Sequence, residues 1–181
     1  MFIKLRVVTI LSILLASPIA DAAVINLASN LDSFNEVPSI SLPGAKGDAA
    51  IVLDTSTGEF GWVISFEGLT GPAVSAHFHE AMKGSTGSIV LNLDTDSGVV
   101  LSGIGQSEGV FAGGTILDPT QISNVLDGLW YINIHTAVNP TGEIRGQVQF
   151  GSFTPVPVPA AIWLLVSGVL VMFSAAKRQW N

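Results

Sequence analysis

Short runs of β-branched and aromatic residues recur along the middle of the chain, separated by clusters of Gly, Pro, Asn and Asp. Such runs, bounded by turn-forming residues, are typical of β-strands. The clearest turn clusters lie at residues 54–58, 94–98 and 139–142. The pattern predicts an all-β domain, either an immunoglobulin-like sandwich or a Greek-key barrel.

Eight strands and one helix follow from this pattern. The predicted strands cover residues 23–28, 46–53, 60–66, 73–80, 88–92, 99–105, 129–135 and 143–150. A short helix is predicted within residues 118–128, because Asp118 can cap it, Pro119 suits its first turn and Gly128 can end it. The glycines at 103, 105, 113 and 114 are predicted to lie in turns or bulges.

The N-terminus has the pattern of an export signal. Lys4 and Arg6 precede an apolar run over residues 7–16, and Ala20 and Ala22 provide a small-x-small cleavage site. This arrangement is typical of a secretory signal peptide, predicted here over residues 1–22, and it implies the Sec machinery as a partner. An uncleaved membrane anchor is the alternative.

The C-terminus has the pattern of a membrane stop. Residues 160–176 carry no charge and are followed by Lys177 and Arg178. At about 1.5 Å per residue such a helix just crosses a bilayer core, and the basic pair would remain in the cytoplasm. The predicted organisation is a β domain over residues 23–150, a Pro-rich linker over 151–157 and a terminal segment with a transmembrane helix over 158–181.

A sorting motif precedes the apolar run. It consists of Val156, Pro157, Val158, Pro159, Ala160 and Ala161. The motif, apolar helix and basic tail together resemble the PEP-CTERM sorting signal of Gram-negative bacteria in its VPLPA-like form, with Val158 where that family has Glu. The resemblance implies transient anchoring in the inner membrane, processing by an exosortase-like protease, and delivery to the cell surface or extracellular space, among exopolysaccharide and matrix components. An ordinary single-span anchor is the alternative.

The charge of the central region excludes one class of partner. Residues 23–150 retain three of the seven basic residues and 13 of the 14 acidic residues, a formal net charge of −10. A domain of this charge does not bind nucleic acid or an anionic polysaccharide through its overall charge, and it attracts cations. The chain has no cysteine, so its stability must come from the core.

The three histidines of the chain are predicted to share one face of the sheet. His77 and His79 alternate with Ala76 and Phe78, and we expect Val74 to join these two in the core. His135 follows a run in which Trp130, Ile132 and Ile134 form the core set. If the two strands are neighbours, three imidazoles converge and could bind Zn or Cu. The alternative is a set of solvated histidines that hydrogen-bond to Tyr131 and Asn133.

Four stretches of the chain support a further resemblance. They are residues 36–38, residues 68–72 running into 76–79, residues 129–136 and residues 139–147. In this order they resemble the CHRD domain, first named from chordin and present in microbial secreted proteins. The resemblance implies an immunoglobulin-like β-barrel distantly similar to Cu/Zn superoxide dismutase, without an established activity. In that analogy His77, His79 and His135 match copper ligands and Arg145 matches an anion-steering arginine.

No set of catalytic residues emerges from the sequence. There is no Gly-x-Ser-x-Gly motif, no cysteine nucleophile and no fourth histidine for a second metal. The first hypothesis is therefore a non-enzymatic surface or matrix protein with a binding or structural role. The second is an extracellular Cu- or Zn-binding protein. In it Glu80, Glu143 and Arg145 would support the metal or contact an anion. The alternative is that the two carboxylates are solvated and that Arg145 forms a structural salt bridge or braces a turn.

Overall fold

The computed structural model describes residues 23–96 and 98–151 of the chain. Within these residues the fold is almost entirely β. The elements are β1 Val24–Asp32, a 3₁₀ turn Ser33–Asn35, β2 Lys46–Asp54, β3 Glu59–Glu67, β4 Ala73–Glu80, β5 Ser88–Asn92, β6 Val99–Leu101, β7 Gly109–Ile116, α1 Pro119–Leu126, β8 Trp130–Thr136, β9 Ile144–Gln147 and β10 Gln149–Phe150.

All ten strands belong to one antiparallel sheet that curls on itself. Its order is β5-β4-β8-β9-β1-β2-β3-β7-β6, with β10 also paired to β1. Aromatic contacts join the two halves of the curl: Phe60 of β3 meets Trp130 of β8 at 5.6 Å between ring centroids, and Trp62 of β3 meets Phe78 of β4 at 5.9 Å. The apolar core therefore lies inside the curl. This architecture confirms the prediction of a mostly β domain.

Helix α1, the one α-helix among the described residues, packs against one part of the core. Asp118 accepts hydrogen bonds from the backbone N–H groups of Thr120 and Gln121, and the Gln121 side chain in turn accepts from the Asp118 N–H. This reciprocal arrangement is a capping box, which satisfies N–H groups that a helix start leaves free. Val125 is buried against the core. The helix was predicted correctly from its cap and its proline.

Each of the eight predicted strand segments contains β structure, but several bounds differ. The predicted strand 143–150 divides into β9 and β10, and the predicted strand 99–105 keeps only its first three residues. Strand β7 was missed, because its glycines lower strand propensity and resemble turn signals. Gly113 and Gly114 therefore lie within a strand rather than in a turn, and Gly113 pairs with β6 next to a bulge in that strand, whereas Gly105 does lie in a turn with a positive φ of 82°.

The face assignment in β4 needs one correction. Ala76 and Phe78 are fully buried in the core, as predicted, but Val74 is 50 % exposed and Ala73 occupies the core instead. The pairing of β4 with β8 shifts register between Ala73 and Ser75, so the alternation changes phase before the histidines. From Ser75 onward the predicted faces are correct.

The targeting predictions concern residues outside the described part. The signal peptide, the sorting motif and the C-terminal transmembrane helix all lie in residues 1–22 and 152–181. Among the residues that the structure describes, no helix is long and apolar enough to cross a membrane.

Gly113 permits β7 to pack beneath an indole ring. A Cβ atom at this position would lie 2.6 Å from Trp62 Cζ2 and 2.7 Å from the Gly98 carbonyl oxygen. We expect Gly113→Ala to reduce the free energy of unfolding by about 1–3 kcal/mol, since overpacking in a core costs this much. Urea unfolding followed by tryptophan fluorescence measures the change.

Gly61 provides the matched control. It lies on the neighbouring strand β3, and a Cβ atom there would meet only the Gly113 carbonyl oxygen at 3.9 Å, an ordinary contact. Gly61→Ala should leave the urea midpoint close to that of the parent protein. Equal losses from both variants would contradict the packing explanation.

Candidate functional site

Strand β8 is buried on both faces and carries the central part of the site. Trp130, Ile132 and Ile134 face the core, as predicted, while Tyr131 and His135 belong to the opposite, outer face. All seven residues of β8 are buried, so the outer face is also covered. Loops that follow β4 and β8 reach over it, as their contacts below show. The outer face is therefore a polar layer within the protein rather than a solvated surface.

The pairing of β4 with β8 brings the three histidines together. His135 lies opposite Ser75, and His77 and His79 lie opposite Asn133 and Tyr131. The centroid of the His77 ring lies 5.4 Å from that of the His79 ring and 5.1 Å from that of the His135 ring. One ligand nitrogen from each histidine lies within 4.8 Å of the others. The predicted convergence is therefore present in the geometry.

Burial of the histidines departs from the expectation. His79 and His135 are 9 % and 8 % exposed, and His77 is half-buried. Neither Tyr131 nor Asn133 hydrogen-bonds to an imidazole: the Tyr131 hydroxyl accepts from the Gly87 N–H, and Asn133 Nδ2 donates to Glu36. The alternative of solvated histidines with these partners is therefore wrong. The site opens to solvent on the His77 side.

Backbone carbonyls orient two of the three imidazoles. His79 Nδ1 lies 3.0 Å from the Gly87 carbonyl oxygen, and His135 Nδ1 lies 3.1 Å from that of Pro140. Since a carbonyl oxygen can only accept, both Nδ1 atoms carry the proton, and both Nε2 atoms are left with a free lone pair. This is the arrangement that second partners of metal-bound histidines commonly impose.

The two free nitrogens differ in their partners. His79 Nε2 is buried with no hydrogen-bond partner in the described residues, and His135 Nε2 lies 3.2 Å from His77 Nδ1. Because the His135 Nε2 atom is the acceptor in this contact, His77 Nδ1 donates. A buried nitrogen without a partner is costly, and an ion among the three rings would remove that cost.

Burial also keeps the imidazoles neutral. It lowers the pKa of His135 to about 4, with the neighbouring His77 and His79 adding to the effect. Burial also lowers the pKa values of His77 and His79, helped by charge repulsion from His79 and from Arg145 respectively. At neutral pH all three rings are therefore uncharged, each with one ring nitrogen that carries no proton.

The His79 ring packs against a stack formed by the Tyr131 ring and the Arg145 guanidinium. The His79 ring is parallel to the Tyr131 ring within 9°, at 4.9 Å between centroids, and the Arg145 guanidinium lies 3.5 Å from the centre of the same Tyr131 ring. Arg145 Nη2 donates to the Ser85 carbonyl oxygen at 2.6 Å. Tyr131 thus lies between Arg145 and His79.

The two predicted glutamates lie elsewhere. Glu80 accepts hydrogen bonds from Asn124 Nδ2 and Trp130 Nε1, next to helix α1. Glu143 is fully buried and accepts from Thr70, Thr136 and Asn139, so it braces the loop after β8. Burial opposes ionisation of Glu143, but these hydrogen bonds outweigh it and lower its pKa. Glu143 is therefore not a solvated group, whereas Glu80 is partly exposed, and neither belongs to the set of residues around the histidines.

The family comparison agrees with this architecture. The model of the CHRD domain matches residues 27–148, from β1 to the residue after β9. The chain belongs to the CHRD family. No curated protein and no solved structure matches it. The three histidines of this CHRD domain all lie within the matched region, as do their two carbonyl acceptors.

Sequence reasoning could not find several residues that shape this CHRD site. Gly87 and Pro140 act through their backbone carbonyl groups. Every residue has such a group, so the residue type does not reveal this role. Glu36 is 7 % exposed, and burial raises its pKa to about 7 against the lowering effects of Arg145 and Asn133. A buried acid whose donor, Asn133, lies 97 residues away in the chain gives no local sequence pattern.

Two buried groups have opposite effects on the stability of this CHRD domain as the pH falls. His135 binds a proton in the unfolded state below about pH 6.5 but in the folded state only below about pH 4, so its contribution to stability is lost as pH falls. Glu36 has a folded pKa of about 7, so it binds its proton earlier in the folded state and contributes stability as pH falls from 7 to 4.5.

We therefore expect Glu36→Gln to lose stability more steeply than the parent between pH 7 and pH 5 in metal-free buffer. The variant removes the stabilising protonation and leaves the three histidines. Urea midpoints at several pH values measure this, with Glu59→Gln as the control because the Glu59 side chain is exposed. Parallel pH profiles for the parent and Glu36→Gln would refute the assignment.

Proposed function

We propose that this chain is an exported CHRD-domain protein whose non-enzymatic binding role is to hold a transition-metal ion at His77, His79 and His135. The observation that carries the proposal is the approach of three imidazole nitrogens to within 4.8 Å, with two of the rings fixed by carbonyl acceptors. Extracellular placement agrees with the family. The ion is Zn²⁺ or a copper ion, since imidazole suits both.

The geometry requires only a small contraction to bind an ion. Metal–nitrogen distances of roughly 2.0–2.1 Å place tetrahedral ligand nitrogens about 3.4 Å apart. The contact between His77 and His135 is already 3.2 Å. A small movement of the His79 ring within its own plane, toward the other two, would complete the set, because the stack on Tyr131 allows sliding in that plane.

Proton release is not needed for this binding at neutral pH. Ligands must be unprotonated, so metal affinity ordinarily falls when histidines are charged. Here burial has already lowered all three pKa values. His77 need only move its Nδ1 proton to Nε2, on the side that is open to solvent.

Charge around the opening favours a cation. Asp94 and Asp96 act on His77 through their negative charge and raise its pKa against the lowering effect of burial. The same field attracts a metal ion toward the open side of the site. Three protein ligands leave a fourth position for water or an external ligand. With three histidines in the chain, a second, histidine-bridged metal has no ligands.

We propose further that the ends of the chain deliver this domain to the cell surface. The Sec-type signal over residues 1–22 and the sorting motif at residues 156–161, with its apolar run and basic tail, support export followed by exosortase-type processing. On this proposal the domain is anchored in the inner membrane for a time and then acts among matrix components.

The strand order also supports our proposal of an immunoglobulin-like, Greek-key fold. In the sheet β4 lies next to β8, and β1 lies next to β9, so strands that are distant in the sequence are neighbours.

Metal analysis tests the metal-binding proposal. Protein purified without a His tag and equilibrated with micromolar Zn²⁺ or Cu²⁺ should bind one ion per chain. His79→Ala should weaken binding at least about 100-fold, because a three-nitrogen site loses a fixed ligand. Equilibrium dialysis with elemental analysis measures both the stoichiometry and the affinity.

Ser75→Ala is the matched control, since Ser75 lies on the same strand and opposite His135. It should retain full metal binding. Absence of metal uptake by the parent protein, or equal uptake by the His79→Ala variant, would end the metal proposal.

Truncation tests the sorting proposal. Removing residues 155–181 should shift the protein from the cell surface to the periplasm or the medium, while leaving every described strand in place. Immunoblots of cell fractions measure the shift. Replacing both Pro157 and Pro159 with alanine leaves the apolar run intact and should impair processing alone. Unchanged surface retention of the chain that lacks residues 155–181 would contradict the proposal.

A further inference from the structure

A cleft beside the 3₁₀ turn collects most of the positive charge of the described region. The cleft has a volume of about 220 Å³, and its lining includes Lys83, Arg145, Glu36 and the residues from Phe34 to Val37. The described residues contain three basic side chains, and two of them border this cleft. Such a concentration is unexpected in a region with a net charge of −10.

Lys83 and Arg145 form no ion pair with a carboxylate among the described residues, whereas Lys46 does. Lys46 forms an ion pair with Glu67 at 2.9 Å. No carboxylate among residues 23–96 and 98–151 lies within 4.0 Å of Lys83 or Arg145. Arg145 is 2 % exposed, and its hydrogen-bond acceptor within the same residues is the Ser85 carbonyl oxygen. A buried guanidinium without a direct ion pair is costly, and a bound anion would offset that cost.

The nearby acid does not cancel this charge. Glu36 directs its Oε2 toward Asn133 Nδ2 at 3.4 Å, and its Oε1 is buried without a partner. Glu36 and Arg145 act on each other through their charges but form no ion pair within 4.0 Å, and with Lys83 the cleft holds two cations against one acid. Burial favours its neutral form, so the cleft keeps a positive balance near neutral pH.

The remaining lining fits a ligand larger than an isolated ion. Phe34 is 57 % exposed at the edge of the cleft, and its ring can pack against the carbon skeleton of a ligand. Asn35 offers a side-chain amide to hydroxyl groups. The volume lies below the roughly 300–1,000 Å³ of sites for drug-sized molecules, which favours a compact ligand.

We propose that this cleft is an oxyanion-binding site that takes the carboxylate or sulfate group of a ligand about the size of one sugar ring. Arg145 presents a planar fork of N–H donors that matches an oxyanion, and Lys83 adds a mobile charge at the mouth. Phe34 and Asn35 contact the attached ring. The site is separate from the three histidines, because the Tyr131 ring lies between Arg145 and His79.

Calorimetric titration of the full-length chain in EDTA-containing buffer tests this site without any metal. The probes are D-glucuronate, D-glucose and inorganic sulfate. Glucuronate should bind with millimolar or tighter affinity, glucose should not bind, and added salt should weaken glucuronate binding. Sulfate that binds as tightly as glucuronate would support a free anion as the ligand, whereas tighter glucuronate binding would support an acidic sugar.

Charge reversal at the mouth gives the matched comparison. Lys83→Glu should raise the dissociation constant at least fivefold, and Lys46→Glu should leave it within twofold, since both lysines are exposed and both variants change the net charge equally. Arg145→Lys should also weaken binding, with thermal unfolding as the check that it folds. Equal losses from Lys83→Glu and Lys46→Glu, or no binding of either anion by the parent protein, would overturn the proposal.

Discussion

The site depends on the antiparallel pairing of β4 with β8. This pairing sets His77 and His79 of one strand beside His135 of the other, although 55 residues lie between His79 and His135 in the chain. The two-residue period of a strand then directs all three rings to the same face. A shift of one residue in register would turn the histidines into the core and the core residues outward. The aromatic contacts of Phe78 and Trp130 inside the curl oppose such a shift.

A second constraint is that β8 has no solvent-facing side. Polar groups on its outer face must find partners within the protein, because buried polar groups without partners are costly. Most do: Tyr131 binds Gly87, and Asn133 binds Glu36. The exceptions are Asn133 Oδ1 on β8 and His79 Nε2 on the neighbouring strand β4, which are left without a partner within the described residues. An unmet lone pair beside two further imidazoles is a reason to assign function to this place, whereas a fully satisfied network would indicate structure alone.

Much of the fold and part of the site could be predicted from residue patterns. Turn clusters and alternation located most strands, and the cap at Asp118 located the helix, since both signals act between neighbours in the sequence. Strand β7 was missed because of its glycines. Gly113 is needed to make room for Trp62 on another strand, and a pattern between sequence neighbours cannot show this requirement. The histidine face was predicted from alternation. Its burial and its carbonyl partners depend on loops folding back over the sheet, which alternation does not encode.

The central claim is that the outer face of β4 and β8 holds one metal ion among three imidazoles. Crystals of the protein grown with equimolar Zn²⁺ and measured at wavelengths on both sides of the zinc absorption edge test it directly. The account predicts one strong anomalous peak about 2 Å from the ring nitrogens of His77, His79 and His135. A map with no peak among these rings, or with zinc bound only at surface carboxylates, would contradict it.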